Sequence, residues 1–287
     1  MRHYYFRLIM ALYFSPVSSS ARDNECQRRR ALHLHELSHV LRRLHSVEVG
    51  RRRSVMSALE IQGLSAWYAP EHPVLEDCTF SLGEHEVVGL IGLNGAGKTT
   101  LINVLSGLHA EFSIAHAAFD GAAMQFRDPA FKRARYTVFA EDAAFGYFSF
   151  REYFAFAARA YARPLPDVDA LVRGFHFADY AEAPIRDLST GNRKKAFLIT
   201  AFALRPPLLL LDEPVNGLDF QSTEFLYTCM NNYRSQGTLL FSSHVLESIT
   251  LTADRVLVLE NGRISQTFSS GEIDAQAIRE ATRDDNV

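Results

Sequence analysis

Apolar runs alternate with segments of helical periodicity along most of the chain after residue 56. Val87–Ile91 and Leu208–Leu211 are continuous apolar runs, which predict strands buried on both faces of a parallel sheet. The rest of the pattern predicts strands at residues 59–64, 74–82, 239–242 and 256–260, and helices at residues 98–106, 187–204 and 224–236, with another starting near Phe150. Strands that alternate with helices predict an α/β domain with a mainly parallel sheet.

The length and composition are those of a soluble globular protein. The chain has 287 residues, enough for one or two domains with a hydrophobic core, and is 47% apolar and 22% charged. Cys26, Cys78 and Cys229 are scattered without metal-ligand spacing, which argues against a disulfide framework and fits a reducing compartment. No apolar run reaches the roughly 18 residues that a membrane-spanning helix needs.

The basic charge is concentrated near the N-terminus. Residues 1–53 hold eleven arginines against four acidic residues, whereas the whole chain has a formal net charge of −3. The remaining part is therefore acidic, which argues against nucleic acid as its partner.

Residues 1–55 show no strand or long helix pattern, and we predict a disordered basic extension there. The first regular segment opens at Met56, which we expect to be the physiological start of a domain over residues 56–287. Two alternatives stay open for the N-terminal segment. Its short apolar stretch after Arg7 weakly resembles a signal peptide, and a basic tail could bind an anionic membrane surface.

A glycine-rich turn follows the first apolar run and precedes a predicted helix. It matches the phosphate-binding pattern G-x-x-x-x-G-K-[ST] with Gly92, Leu93, Asn94, Gly95, Ala96, Gly97, Lys98 and Thr99. Glycines permit positive φ and leave backbone N–H groups open to a phosphate, and the helix adds the positive end of its dipole. We predict that this turn and Thr100 bind ATP, with Lys98 on the β- and γ-phosphates and the Thr99 hydroxyl on Mg²⁺.

Two carboxylates, Asp212 and Glu213, directly follow the four leucines of the second apolar run. Carboxylates beside a core are costly unless a cation or hydrogen-bond donors compensate them. We predict that Asp212 holds Mg²⁺ through water and that Glu213 orients or deprotonates the attacking water. The alternative interpretation is an ordinary strand end with solvated acids.

The order and spacing of the motifs resemble the ABC transporter ATPase family from about residue 58 to residue 268. Residues 188–192 (LSTGN) are similar to the family's signature, LSGGQ, and residues 216–219 (NGLD) are similar to its D-loop. His244 stands where the family has a switch histidine after a strand, and Tyr68 where it has an aromatic residue against adenine.

The resemblance implies a P-loop NTPase core with a mainly parallel sheet, a small antiparallel β-subdomain and an inserted helical subdomain at roughly residues 142–190. It implies that Glu213, His244 and Lys98 are the catalytic residues. Beyond the glycine-rich turn, it assigns ATP binding to Tyr68, Ser189, Gly191 and Asp219. Ser189 and Gly191 would act on the γ-phosphate held by a second chain, so that ATP joins two domains.

Two motifs depart from the family pattern, the signature and the Q-loop. Thr190 replaces one glycine of the signature pair, and Asn192 replaces its glutamine. Glu141 is the best match to the glutamine of the family's Q-loop, and its carboxylate could bind Mg²⁺ or water. We interpret the basic run at residues 193–195 as a solvated helix face and assign it no role.

An aromatic run lies in the predicted helical subdomain, with Phe145, Tyr147, Phe148, Phe150, Tyr153, Phe154 and Phe156 around Arg151. One interpretation is the core of that subdomain. The other is a partly exposed groove that receives a short helix of a permease. The two interpretations can apply to different residues of the run.

The resemblance implies an ATPase, with ATP and Mg²⁺ as cofactors, that powers a separate multi-span membrane permease. The working unit would be a dimer of nucleotide-binding domains in the cytoplasm, held on the inner face of the cell membrane by the permease. The compact sequence is closer to exporters than to importers. The alternatives are a soluble ABC ATPase acting on ribosomes or DNA, and a nucleotide-gated interaction module without hydrolysis.

Overall fold

A six-stranded sheet lies at the centre of the computed structural model, which describes residues 57–141 and 145–281. The extension predicted at residues 1–55 and the start expected at Met56 lie outside these residues. The strands are β1 (Ser57–Ala69), β2 (His72–Gly83), β3 (Val87–Ile91), β4 (Phe112–Ser113), β5 (His116–Phe119), β6 (Ala122–Ala123), β7 (Arg135–Val138), β8 (Leu208–Leu211), β9 (Thr238–Ser242), β10 (Arg255–Glu260) and β11 (Arg263–Ser269). The α-helices are α1 (Lys98–Leu105), α2 (Pro129–Ala134), α3 (Phe150–Ala160), α4 (Asp169–Gly174), α5 (Thr190–Leu204), α6 (Phe220–Tyr233), α7 (Leu246–Thr252) and α8 (Ala275–Ala281).

Most of the central sheet is parallel. Its order is β11-β10-β3-β9-β8-β7, and only the β10–β11 pairing at one edge is antiparallel. Every residue of β3, β8 and β9 is buried, which explains the continuous apolar runs in the first two. The predicted α/β fold with a mainly parallel sheet is therefore confirmed.

Side chains of the central strands alternate between two hydrophobic cores, because successive residues of a strand point to opposite faces. Val87 and Ile91 of β3 belong to the core that includes residues of α3, α5 and α6. Val88 and Leu90 belong to the other core, with residues of α1, β1 and β2. This second core joins the glycine-rich turn and its helix to the rest of the domain.

The second sheet is antiparallel, with the order β2-β1-β5-β6 and with β4 also paired to β1. It is the small antiparallel sheet that the resemblance implies. The sequence pattern misses β5 and β6 because they have four and two residues, too few to show a period. It also misses β11, most of whose residues are exposed or half-buried.

Helices α3 and α4 and two short 3₁₀ turns lie between β7 and α5, within the interval predicted as a helical subdomain. Ser149 and Glu152 form a capping box, which fixes the start of α3 at the predicted Phe150. Helix α5 starts at Thr190 and not at residue 187, because Ser189 caps it. Helix α6 starts at Phe220, four residues before the prediction, because the side chain of Asp219 caps it.

Within residues 57–141 and 145–281, none of the helices combines the length and the apolar character required to cross a membrane.

Asp254 joins the central sheet to the end of α6. Its carboxylate accepts a hydrogen bond from Val87 N at 2.9 Å, at the start of β3, and pairs with Arg234 Nε at 2.7 Å. The Arg234 guanidinium also donates to Thr252 O at 2.5 Å. One partly buried ion pair therefore ties two strands and two helices together.

We expect Asp254→Asn to lower the free energy of unfolding by about 2 kcal/mol, because hydrogen bonds to charged groups contribute roughly 1.5–3 kcal/mol. The control is Glu76→Gln, which removes a more exposed pair with Arg263 at 2.7 Å. That change should cost less than about 1 kcal/mol. Urea unfolding of both variants measures the difference, and equal losses would contradict the assignment.

Candidate active site

The residues with predicted chemistry follow three neighbouring strands of the central sheet. The glycine-rich turn, residues 92–99 and hereafter the glycine loop, follows β3; Asp212 and Glu213 follow β8; and His244 follows β9. Because β9 pairs in parallel with both β3 and β8, all three segments leave the same edge of the sheet. Ligands of open α/β sheets bind at this carboxyl edge.

Three glycines give the glycine loop its shape. Gly95 and Gly97 have φ of 85° and 106°, a region that favours glycine. A Cβ on Gly92 would lie 2.2 Å from Leu259 O, and a Cβ on Gly97 would lie 2.7 Å from Leu75 Cδ2. The close approach of the loop to β10 and β2 therefore requires glycine. The glycine loop ends at the N-terminus of α1, a position that favours an anion.

Lys98 is buried at the start of α1, and its Nζ donates to Gly92 O at 2.7 Å and to Leu93 O at 3.1 Å. Burial lowers the pKa of Lys98, and the charges of Glu213 and Asp212 oppose that shift. The glycine loop and the two carboxylates are thus close enough to interact electrostatically. Thr99 is exposed beside Lys98, whereas Thr100 is buried.

Asp212 lies at the end of β8 and is 1% exposed. Its Oδ1 accepts a hydrogen bond from Ser242 Oγ at 2.6 Å. Its Oδ2 is buried without a hydrogen-bond partner in the part of the chain that the structure describes. A carboxylate oxygen in this position is costly unless a cation or water compensates it, so the residue fits a Mg²⁺ site that includes bound water.

Glu213 is held from three directions. Its N–H donates to Ser242 Oγ at 2.9 Å, its carbonyl oxygen accepts from Lys194 Nζ at 2.8 Å, and its Oε2 pairs with His244 Nδ1 at 2.8 Å. The backbone adopts φ of 46°, which costs a residue with a side chain roughly 1–2 kcal/mol. The contacts compensate this strain and direct the carboxylate toward His244. A general base needs a fixed position of this kind, because it must lie within hydrogen-bond reach of the proton that it accepts.

Lys194 and Lys195 correct the sequence interpretation, because the prediction of a solvated face at these positions is wrong. Each is 5% exposed. Lys194 Nζ donates to Glu213 O at 2.8 Å, and Lys195 Nζ pairs with Asp219 Oδ2 at 2.6 Å. The chain has four lysines among thirty basic residues. Three of the four are buried, Lys98, Lys194 and Lys195.

The signature segment lies at the N-terminus of α5. Ser189 is exposed, and its Oγ accepts a hydrogen bond from Asn192 N at 3.2 Å. A Cβ on Gly191 would lie 2.2 Å from Gly217 O, so the signature packs directly on the loop before α6. Ser189 and Gly191 are therefore on the protein surface, at a helix end that favours anions.

The Asp219 carboxylate forms hydrogen bonds with residues of its own chain. Its carboxylate accepts from Ser222 N at 2.9 Å and pairs with Lys195. These contacts hold the pKa of Asp219 well below its usual range, despite an opposing effect of burial. The residue predicted to contact ATP from the D-loop is thus also the cap of α6.

Tyr68 and Glu141 are two further residues that the sequence assigns to the site. The Tyr68 ring is 65% exposed, and its hydroxyl is 3.4 Å from Thr100 Oγ1 at the start of α1. Glu141 follows β7, is exposed, and is one of the carboxylates whose charge acts on Lys194. The position of Tyr68 fits an aromatic platform beside the start of α1.

Known proteins of one family are similar to this chain over most of its length. The family model described as ABC transporter matches residues 75–216. AlbC of Bacillus subtilis (strain 168), by name an ABC transporter ATP-binding protein, is 36% identical over 224 residues, covering 76% of this chain and 94% of AlbC. SkfE of the same organism, by name an SkfA peptide export ATP-binding protein, is 31% identical, covering 77% of this chain and 93% of SkfE. CbiO of Rhodobacter capsulatus, by name a cobalt import ATP-binding protein, is 33% identical, covering 66% of this chain and 71% of CbiO.

Solved structures show the same fold. The ATP-binding subunit of an ABC transporter has a TM-score of 0.68 and 29% identity, covering 78% of this chain and 92% of that subunit. A dimeric ATP-binding cassette with ADP and Pi bound has a TM-score of 0.65 and 16% identity, covering 74% of this chain and 98% of the cassette. The chain belongs to the ABC transporter family of ATP-binding proteins, and it is an ATPase with the P-loop NTPase fold.

We expect Gly191→Ala to lower ATP hydrolysis by about tenfold or more, because the new methyl group would push the signature off Gly217 and misplace it. Nucleotide affinity of the isolated chain should stay within about twofold, since the glycine loop is unchanged. Phosphate release and binding of a fluorescent ATP analogue measure both quantities. The control is Gly271→Ala, where a Cβ meets no described atom within 4 Å; hydrolysis at the normal rate in both variants would contradict the packing argument.

Proposed function

We propose that this chain hydrolyses ATP to power a separate membrane permease, and that it works as a dimer of ATP-binding domains. One observation carries the proposal. Lys98, with the glycine loop around it, and the pair Asp212 and Glu213 meet at one edge of the sheet, with His244 on Glu213 at 2.8 Å. That set can hold a triphosphate, a metal and an attacking water together.

The ATP-binding role falls on residues from three segments of this chain. Tyr68 supports the adenine ring from the antiparallel sheet, and Asp219 acts from the loop before α6. The phosphates lie against Gly92, Asn94, Gly95, Ala96, Gly97, Lys98, Thr99 and Thr100. The open N-terminus of α1 and the buried Lys98 ammonium favour this placement, since both attract an anion.

Thr99, Asp212 and Glu141 would hold Mg²⁺. The exposed hydroxyl of Thr99 and the unpartnered Oδ2 of Asp212 support this assignment. When bound, the ion would neutralise charge on the phosphates during transfer. Mg²⁺ commonly binds a few oxygen ligands of a protein and completes its coordination with water.

Glu213 acts as the general base or orients the attacking water, and His244 holds its carboxylate. The His244 side chain is half exposed, so it is accessible to a ligand at this edge of the sheet. Lys98 stabilises negative charge that develops on the phosphate oxygens. The backbone of Glu213 is already fixed by Ser242, which lowers the cost of ordering it during the reaction.

The site is completed by a second domain. Ser189 and Gly191 lie at the exposed N-terminus of α5, where they can cover the γ-phosphate held by a partner copy. A dimeric cassette with ADP and Pi among the fold neighbours supports this arrangement. ATP would then join two domains and hydrolysis would release them, which gives a two-state device able to do work.

The permease would dock on the aromatic run of the helical subdomain. Phe150, Tyr153 and Phe154 are buried and form its core, whereas Phe145, Phe148 and Phe156 are 37–49% exposed. The three exposed rings lie within 5.4–6.2 Å of one another, centroid to centroid. This apolar surface suits the short helix of a membrane partner and would hold the chain at the cytoplasmic face of the membrane.

Export is the direction that we propose. The similarity to SkfE, a peptide export protein by name, supports it and spans 93% of SkfE. Proteins named for import, such as CbiO, are also similar to this chain.

We expect Glu213→Gln to bind ATP, to hydrolyse it about 100-fold more slowly or worse, and to accumulate as an ATP-bound dimer. The amide keeps the shape of the side chain and cannot accept the proton. Phosphate release and light scattering with and without Mg-ATP measure rate and mass. Lys98→Met is the control, because it should lose ATP and stay monomeric; turnover at the normal rate in Glu213→Gln would rule out the assigned role.

We expect the tagged chain, purified from solubilised membranes, to carry a multi-span membrane protein with it. Phe156→Glu should remove that partner while leaving ATP hydrolysis by the isolated chain within about twofold, because a charge in an apolar interface is costly. Leu108→Glu changes an exposed apolar residue beyond the end of α1 and should retain the partner. Equal recovery in both variants would contradict docking at the aromatic run.

A further inference from the structure

The second turn of α5 carries three basic residues, Arg193, Lys194 and Lys195, close to the helix N-terminus. The dipole of a helix disfavours cations there, and the first turn has no acidic residue to offset them. Both lysines are also buried, which further disfavours their charge. Specific partners must therefore hold these two side chains in place.

The partner of Lys194 is the backbone of Glu213. Lys194 Nζ donates to Glu213 O at 2.8 Å. Burial lowers the pKa of Lys194, and the charges of Asp212, Glu213 and Glu141 oppose that effect. Lys195 is held separately, by Asp219, so the two neighbouring lysines reach two different segments of the site.

The peptide groups on both sides of Glu213 are tied by side chains from different elements. Ser242, at the end of β9, accepts from Glu213 N, and Lys194, on α5, donates to Glu213 O. Between these two bonds the residue keeps a left-handed φ of 46°. A residue other than glycine keeps that conformation only while its surroundings impose it.

We propose that Lys194 is a positioning residue for ATP hydrolysis, which holds the backbone of Glu213 in its strained conformation and links it to the helix that starts at the signature. This inference rests on the proposed role of Glu213. The consequence concerns a shift of α5, which would occur when Ser189 engages the nucleotide of a partner copy. Lys194 would transmit that shift to Glu213, because its ammonium group is bonded to Glu213 O. Hydrolysis in one site would thereby respond to occupation of the other.

The first test compares Lys194→Met and Lys194→Arg with the unmodified chain. Met fills the same volume without a donor, so kcat should fall by about tenfold or more while KM and nucleotide affinity change by less than about twofold. Arg can donate to the same carbonyl oxygen and should recover most of kcat. Lys132→Met, which removes the exposed lysine on α2, should leave kcat unchanged.

Three results of this first test would overturn the proposal. They are a normal kcat in Lys194→Met, an equal loss of kcat in the Met and Arg variants, and a loss of kcat matched by a loss of affinity. If Lys194→Met does not fold, Lys194→Leu, which also lacks a donor and has a smaller side chain, is measured by the same criteria.

The second test asks whether Lys194 acts through Glu213. In a Glu213→Gln background, adding Lys194→Met should change the residual hydrolysis rate by less than about twofold, because the group being positioned is already inactive. A full additional loss would show that Lys194 acts elsewhere and would overturn the proposal. If the unmodified chain hydrolyses no ATP, the proposed function fails; if it does and Lys194→Met is unaffected, only the role of Lys194 fails.

Discussion

The parallel pairing of β3, β9 and β8 is the constraint on which the site depends. It brings together segments more than a hundred residues apart, since Val87 of β3 and Leu209 of β8 both align with Leu239 of β9. The middle strand ends at Ser242, whose hydroxyl donates to Asp212 Oδ1 and accepts from Glu213 N. One serine therefore orients the Asp212 carboxylate and holds the Glu213 backbone relative to a sheet that also carries the glycine loop. The register of the strands therefore sets the relative positions of the glycine loop, Asp212 and Glu213.

Features encoded in short stretches of sequence could be predicted. The glycine loop, the carboxylates after four leucines and the buried strands each occupy fewer than about ten consecutive residues, and each has a physical reason that is local. The structure places Lys98 within electrostatic reach of Asp212 and Glu213, as the sequence predicts. Strands β5 and β6 escaped prediction because a period cannot be seen over four or two residues.

Features that depend on distant partners could not be predicted. Lys194 and Lys195 look like a solvated helix face because basic residues usually are, and their partners lie 19 and 24 residues further along. Asp219 was assigned to a loop, although the same carboxylate caps α6 and pairs with Lys195. In both cases the three-dimensional arrangement reveals a contact that the sequence does not show. Ser189 and Gly191, predicted to contact the ATP of a second chain, are exposed and half-buried, respectively, at the N-terminus of α5.

The burial of Lys98, Lys194 and Lys195 leaves Lys132 as the exposed lysine of the folded domain. Primary amines are the groups that acylating reagents and acetyltransferases modify, and they must be reachable and uncharged to react. The folded domain thus offers such reagents one lysine on α2, whereas opening of the site would expose three more. The number of acylated lysines would therefore report directly on whether the segments around the glycine loop, α5 and Glu213 are assembled.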